Sequence, residues 1–163
     1  MTTSTSEQLL IEACNRFFTA LANDTPPLSL LHHFSNTHPI SIQHCPIHCS
    51  HPHASILRGP NAVRSYFDIL ATHWTRSKLT CHSISPDPKL RRVLVKGSVT
   101  WTWKRSGRSW QEDFICTLVF DDSDALKITQ FSVLTESGPG TCVLRAVDYD
   151  HEVVGTHAIE VTM

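Results

Sequence analysis

Apart from Gly97, valines and tryptophans occupy the odd positions of Val93-Leu94-Val95-Lys96-Gly97-Ser98-Val99-Thr100-Trp101-Thr102-Trp103, and mostly polar or small residues fill the even ones. Side chains alternate sides along a strand, so this pattern predicts one apolar and one wet face. Ser106-Gly107 supplies a turn between Lys104 and Arg108, and the alternation resumes at Glu112, Phe114, Cys116, Leu118 and Phe120. A second turn at Asp121-Asp122-Ser123-Asp124 leads into a third run, Leu126 to Leu134, rich in β-branched and aromatic residues. The three runs form a meander whose apolar side needs cover from other elements.

That cover is found upstream. Leu9, Leu10, Ala13, Cys14, Phe17, Phe18 and Leu21 recur at spacings of three and four, which predicts a helix capped by Ser6, with Glu7 in its first turn and its end near Asn23-Asp24. Pro27 to Phe34 reads as a second, shorter helix with Leu28, Leu31 and Phe34 inward. His38 to His44 reads as a strand, and Pro39 near its start points to a sheet edge. Residues Cys45 to Arg58 suit an irregular loop. Gly59-Pro60-Asn61 then opens a third helix with Val63, Tyr66, Phe67, Leu70 and Trp74 on one face, and Leu79 to Ser85 is a strand closed by Pro86-Asp87-Pro88. The expected fold is α+β, with three N-terminal helices packed on one face of a bent antiparallel sheet. After Gly138-Pro139-Gly140, two strand-like stretches flank a polar segment, an extension that packs on the sheet or exchanges with a partner subunit.

The 163 residues suffice for one core, and the net charge of −1 argues against a nucleic-acid binder. The basic clusters Lys89/Arg91/Arg92 and Lys104/Arg105/Arg108 fall at predicted turns. Neither a secretory leader nor an apolar run of membrane-spanning length is visible, so the expectation is a cytoplasmic protein with reduced thiols, Cys14 and Cys116 filling the core. Glycine-rich phosphate loops, G-x-S-x-G and H-E-x-x-H are missing from the sequence, and no cofactor is expected. His44 to His53 holds six potential zinc ligands, but their spacing fits no zinc motif, so no metal is expected.

Gly59-Pro60-x-Ala62-Val63-x-x-Tyr66-Phe67-x-x-Leu70, Val95-Lys96-Gly97, Trp101-Thr102-Trp103-Lys104, Ser109-Trp110-x-Glu112-x-Phe114 and Leu126-x-Ile128-Thr129-x-Phe131 together resemble the nuclear transport factor 2-like superfamily, and within it the SnoaL-like group common in fungal metabolism. The resemblance covers roughly residues 7–137. It implies a cone domain over 1–137, an extension over 138–163, a homodimer through the convex sheet face, and a conical apolar pocket. Such a cone hosts dehydratases, isomerases, cyclases, epoxide hydrolases and silent binders, so the fold alone names no reaction.

Within that pocket, Glu112 shares the parity of Phe114 and Cys116 and is the first candidate for proton transfer. His82 is the second; Thr80-x-His82 is similar to the strand that carries a catalytic histidine in scytalone dehydratase, a member of the same superfamily. Trp101, Trp103, Trp110 and Phe114 offer an aromatic wall, and Tyr66, Gln43 and Gln130 are further substrate-binding candidates. His73, at the end of the third helix, suits the helix dipole. The resulting expectation is a cofactor-independent isomerase, dehydratase or cyclase for a hydrophobic polyketide or terpenoid. The alternative is a non-catalytic ligand-binding or dimerisation module of the same fold.

Overall fold

Helix α1 (Thr5–Ala22) buries Leu10, Ala13, Cys14, Phe17, Phe18 and Leu21 in the computed structural model, which describes residues 4–48 and 56–136. Its N-cap is Ser4 rather than Ser6. A capping box needs an acid three residues after the cap, and only Ser4 has Glu7 there: the Glu7 amide donates to Ser4 Oγ at 3.3 Å and the Ser4 amide to Glu7 Oε2 at 3.1 Å. The second helix is shorter than its pattern. Helix α2 (Pro27–Leu30) passes at once into a 3-10 turn, Leu31–His33, so Leu30 and Phe34 are buried while Leu28 is 63% exposed.

Strands β1 (Ser41–Pro46) and β2 (Ile56–Arg58) precede helix α3 (Ala62–His73), after which β3 (Trp74–Asp87), β4 (Arg92–Trp103), β5 (Ser109–Phe120) and β6 (Ile128–Thr135) follow in turn. Among the described residues they form one sheet in the order β2-β1-β6-β5-β4-β3. The predicted meander is present. The sheet is mixed rather than antiparallel, however, because β1 runs parallel to β6. Periodicity along one strand carries no information about the direction of a partner some ninety positions away. Nor is β1 an edge: β2, inside the stretch read as irregular loop, pairs with it antiparallel, and Pro39 lies before the strand begins.

Trp74, assigned by spacing to the third helix, is instead the first residue of β3, opposite Trp103. Strand β3 carries two register shifts, between Ser77 and Thr80 and between Cys81 and Ser83. They move the core-facing set from Trp74 and Arg76 to Leu79 and Cys81, and then to Ile84. Gly97 on β4 marks the tightest approach: a Cβ there would stand 2.4 Å from the Thr80 carbonyl oxygen and 2.7 Å from Phe114 Cζ. The helices cover the concave side, where the Phe17 ring meets Phe18, Phe34 and Phe131 edge-on at centroid distances of 5.3–5.7 Å. Cys14 and Cys116 lie in this core, as their places on apolar faces predicted. Among the described residues no helix is long and apolar enough to cross a membrane. The extension from 138 onward, with Cys142, lies outside the described residues.

Candidate active site

Burial alternates along β5, with Glu112, Phe114, Cys116, Leu118 and Phe120 all turned to the core. The carboxylate of Glu112 is therefore carried inward by the same parity that packs the phenylalanines, and the residue is 1% exposed. Strand β4 supplies its first partner: Trp101 Nε1 donates to Glu112 Oε1 at 3.0 Å. Trp110, two residues before it on β5, donates from Nε1 to Oε2 at 3.4 Å. Each carboxylate oxygen thus holds an indole N–H.

A histidine completes the arrangement from the far side of the sheet. Strand β1 joins β6, β6 joins β5, and the pairings His44 with Val133 and Val133 with Cys116 bring His44 onto the same concave face. His44 is 2% exposed, with Nε2 3.6 Å from Glu112 Oε1. That is longer than a hydrogen bond, and Nε2 has no hydrogen-bond partner. On the other edge of the ring, Nδ1 lies 2.8 Å from the Tyr66 hydroxyl, which α3 presents from above the sheet. Burial pushes the Tyr66 phenol well up, so it stays neutral and acts as a hydrogen-bonding group. The direction of that bond sets the imidazole tautomer. If Tyr66 donates, the neutral ring carries its proton on Nε2, facing Glu112; if Tyr66 accepts, Nε2 presents a lone pair.

These groups surround a cavity of about 40 Å³ whose remaining walls are mainly apolar, including Phe18, Phe67, Leu70 and Phe131. That is room for a few waters or for one reacting group of a ligand. Cys116 reaches the wall too, its thiol pushed well up by burial and so kept protonated. At the rim stands Arg76, on β3 opposite Trp101. Its Nε donates to the Leu21 carbonyl at 3.3 Å, and Nη2 lies 3.9 Å from Asp24 Oδ1. Burial lowers the Arg76 guanidinium from its usual range, with Asp24 acting in the opposite sense.

Of the residues singled out in the sequence, Glu112, Tyr66, Trp101 and Phe114 line this cavity together. Trp103 is buried but outside the cavity lining, stacked on His73 at a centroid distance of 5.6 Å and meeting Trp74 edge-on at 5.0 Å. His82 is exposed on the convex face, its Nε2 3.1 Å from Ser98 Oγ. Gln43 accepts from Ser132 Oγ at 3.4 Å, and Gln130 is exposed; neither belongs to the cavity lining. His44 and Arg76 escaped notice. The signal for His44 was its parity with Ile40 and Ile42, hidden because it also opens the histidine and cysteine stretch. No group of three or more metal-binding side chains occurs among the described residues, and Cys49 to His53 lie outside them.

The sequence matches no protein-family model and no curated protein. Its likeness to solved structures is one of fold. An NTF2-like protein of unknown function from Burkholderia pseudomallei is 15% identical with a TM-score of 0.61, over 78% of this chain and 91% of that one. The BvnE pinacolase of Penicillium brevicompactum is 14% identical with a TM-score of 0.63, over 99% and 97%. The epoxide hydrolase/cyclase-like enzyme SalBIII, of pyran ring formation in the polyether salinomycin, is 16% identical with a TM-score of 0.63, over 83% and 97%. The chain therefore has the NTF2-like fold of the SnoaL-like proteins.

Proposed function

We propose that this NTF2-like chain is a cofactor-independent enzyme that isomerises, dehydrates or cyclises a hydrophobic secondary metabolite of polyketide or terpenoid type. One observation carries the proposal: a carboxylate, an imidazole and a phenol succeed one another inside a cavity that is otherwise mainly apolar. Such chemistry needs a group that takes a proton from carbon and a second that serves oxygen. Glu112, with each oxygen oriented by an indole N–H, removes the proton α to a carbonyl. His44, aimed by Tyr66, donates from Nε2 to the carbonyl oxygen, where negative charge develops. Returning the proton to a different carbon completes an isomerisation. Delivering it instead to a β-hydroxyl breaks the C–O bond and releases water, leaving a conjugated double bond. In a cyclisation the same walls would hold the chain ends together. The names of the fold neighbours, a pinacolase and an epoxide hydrolase/cyclase-like enzyme among them, support chemistry of this kind.

The small volume favours a second reading, a binding or dimerisation module whose cone is filled mostly by its own side chains. Hydrogen exchange separates the two. With a panel of bicyclic ketones such as β-tetralone in D2O, followed by proton NMR, the wild-type protein should accelerate α-proton exchange, and Glu112→Gln should lower the rate by about 10²–10⁴-fold while ketone affinity is kept. Exchange that ignores Glu112→Gln, or ketone binding without any exchange, would leave the binding module as the better reading.

A further inference from the structure

A cavity of about 40 Å³ admits a reacting group but not the body of a polyketide or terpenoid. The space beside it is larger. A pocket of about 210 Å³ lies between the α1–α2 connection, α3 and the start of β3, and Phe67, Leu70 and Arg76 line both spaces. The outer pocket is the room that the inner one lacks.

Its polar groups are one-sided. Trp74, only 4% exposed, lines it and has a buried Nε1–H with no acceptor. A buried donor without a partner is costly in a native fold and points to an acceptor supplied from elsewhere. Arg76 and Lys104 line the same space, with Lys104 Nζ donating to the Ala71 carbonyl. The one acid in the lining is Asp24, 91% exposed and 3.9 Å from Arg76 Nη2, and so exposed and long a pair is weak and easily exchanged. Arg76 Nε is already engaged by Leu21, which anchors the side chain and leaves the Nη edge as a fork. Pro26, Leu30 and Trp74 supply apolar walls around these donors.

We propose that the outer pocket is a recognition subsite for a carboxylate borne by the hydrophobic substrate, and that Arg76 is its specificity-determining residue, exchanging Asp24 for the ligand acid. The ligand carboxylate accepts from the Arg76 Nη edge and takes up the spare Trp74 N–H, its apolar body lies along Leu30 and Phe67, and its reacting carbon reaches past Arg76 toward Glu112. Burial of the guanidinium strengthens the preference, because a cation stripped of part of its water gains most from an anion. The inference rests on the proposed enzyme only in placing the reacting group in the inner cavity; acid recognition itself is measurable without turnover.

The test is calorimetric titration of the full chain with 2-naphthoate and with its neutral isostere 2-naphthamide. The acid should bind at least about tenfold tighter, Arg76→Gln should erase that margin by weakening the acid far more than the amide, and Asp24→Asn should tighten the acid alone by removing its competitor. Circular dichroism melts confirm that the variants are folded; should Arg76→Gln not fold, Asp24→Asn decides by itself. Equal affinities for acid and amide, or acid binding indifferent to both substitutions, would overturn the subsite. Repeating the titration in Glu112→Gln keeps the two ideas apart, since the acid preference should persist there even if no ketone exchange is ever seen.

Discussion

The two faces of β4 and β5 carry similar chemistry to opposite ends. On the concave face Glu112 meets two indole N–H groups and the edge of His44, all within the core. On the convex face of β4, next to the Val99 that pairs with Glu112, Ser98 bonds to the exposed His82. Both sites join side chains that can exchange protons. Only the first is shut off from water and holds a group with unused hydrogen-bonding capacity. The difference teaches that a histidine on the right strand is not yet in the right place: the face, set by register, decides whether it can work on a ligand.

Substitutions along this divide should have unequal effects. After Glu112→Gln the largest is expected at His44: His44→Asn should cut α-proton exchange by about 10²-fold, while Tyr66→Phe, which loses only the bond that aims the imidazole, should cost about tenfold. His82→Asn on the convex face should leave the rate unchanged in the same NMR assay, and a loss there comparable to His44→Asn would break the comparison. Next in size is packing. Gly97→Ala drives a Cβ against the Thr80 carbonyl and Phe114, so urea denaturation should show a loss of about 1–3 kcal/mol, whereas Ser98→Ala beside it should lose about 0.5–1 kcal/mol with the His82 bond.

The last effect is in titration, spread over the alkaline range. Burial, with a lesser contribution from Cys81, pushes the Cys14 thiol up to about 12, and burial raises Cys116 as well. A thiol raised in the folded state binds its proton more tightly there than in the unfolded chain. Its stabilising share is therefore complete below the unfolded value, near 8.5, and is lost as pH rises from there toward the folded value. Thermal melts between pH 8 and 10.5 should fall with a slope of roughly 1.4 kcal/mol per pH unit for each such thiol, and Cys14→Ala should flatten that limb. An alkaline limb unchanged by Cys14→Ala would mean that the core around α1 is wetter than its burial implies.

Much of this was legible in the chain. Period-two alternation in β4 and β5 put Glu112, Phe114 and Trp101 on the apolar faces, because parity is a local property of a strand, but which face is concave was decided only by the packing of the helices. Strand β3 defeated the same logic: its two register shifts change the core-facing parity twice, and an extra residue in a ladder leaves no mark in composition. The likeness of Thr80-x-His82 to a catalytic strand points His82 into the pocket, whereas the strand turns it outward, and Arg76 lies before Leu79, where the sequence pattern starts the strand. The cap of α1 was misplaced by two residues although the correct box, Ser4 with Glu7, stood in plain view.

By itself, then, the sequence determined most of the helices and strands, though neither β2 nor the start of β3, together with which faces are apolar and which residue types could move protons. These follow from spacing and from side-chain chemistry, both local. The tertiary structure alone decided that β1 lies parallel to β6, that Tyr66 on α3 reaches His44, and that His44 comes within 3.6 Å of Glu112 from a strand two places away in the sheet. Those meetings depend on strand order and direction, which are fixed only when the whole core packs together.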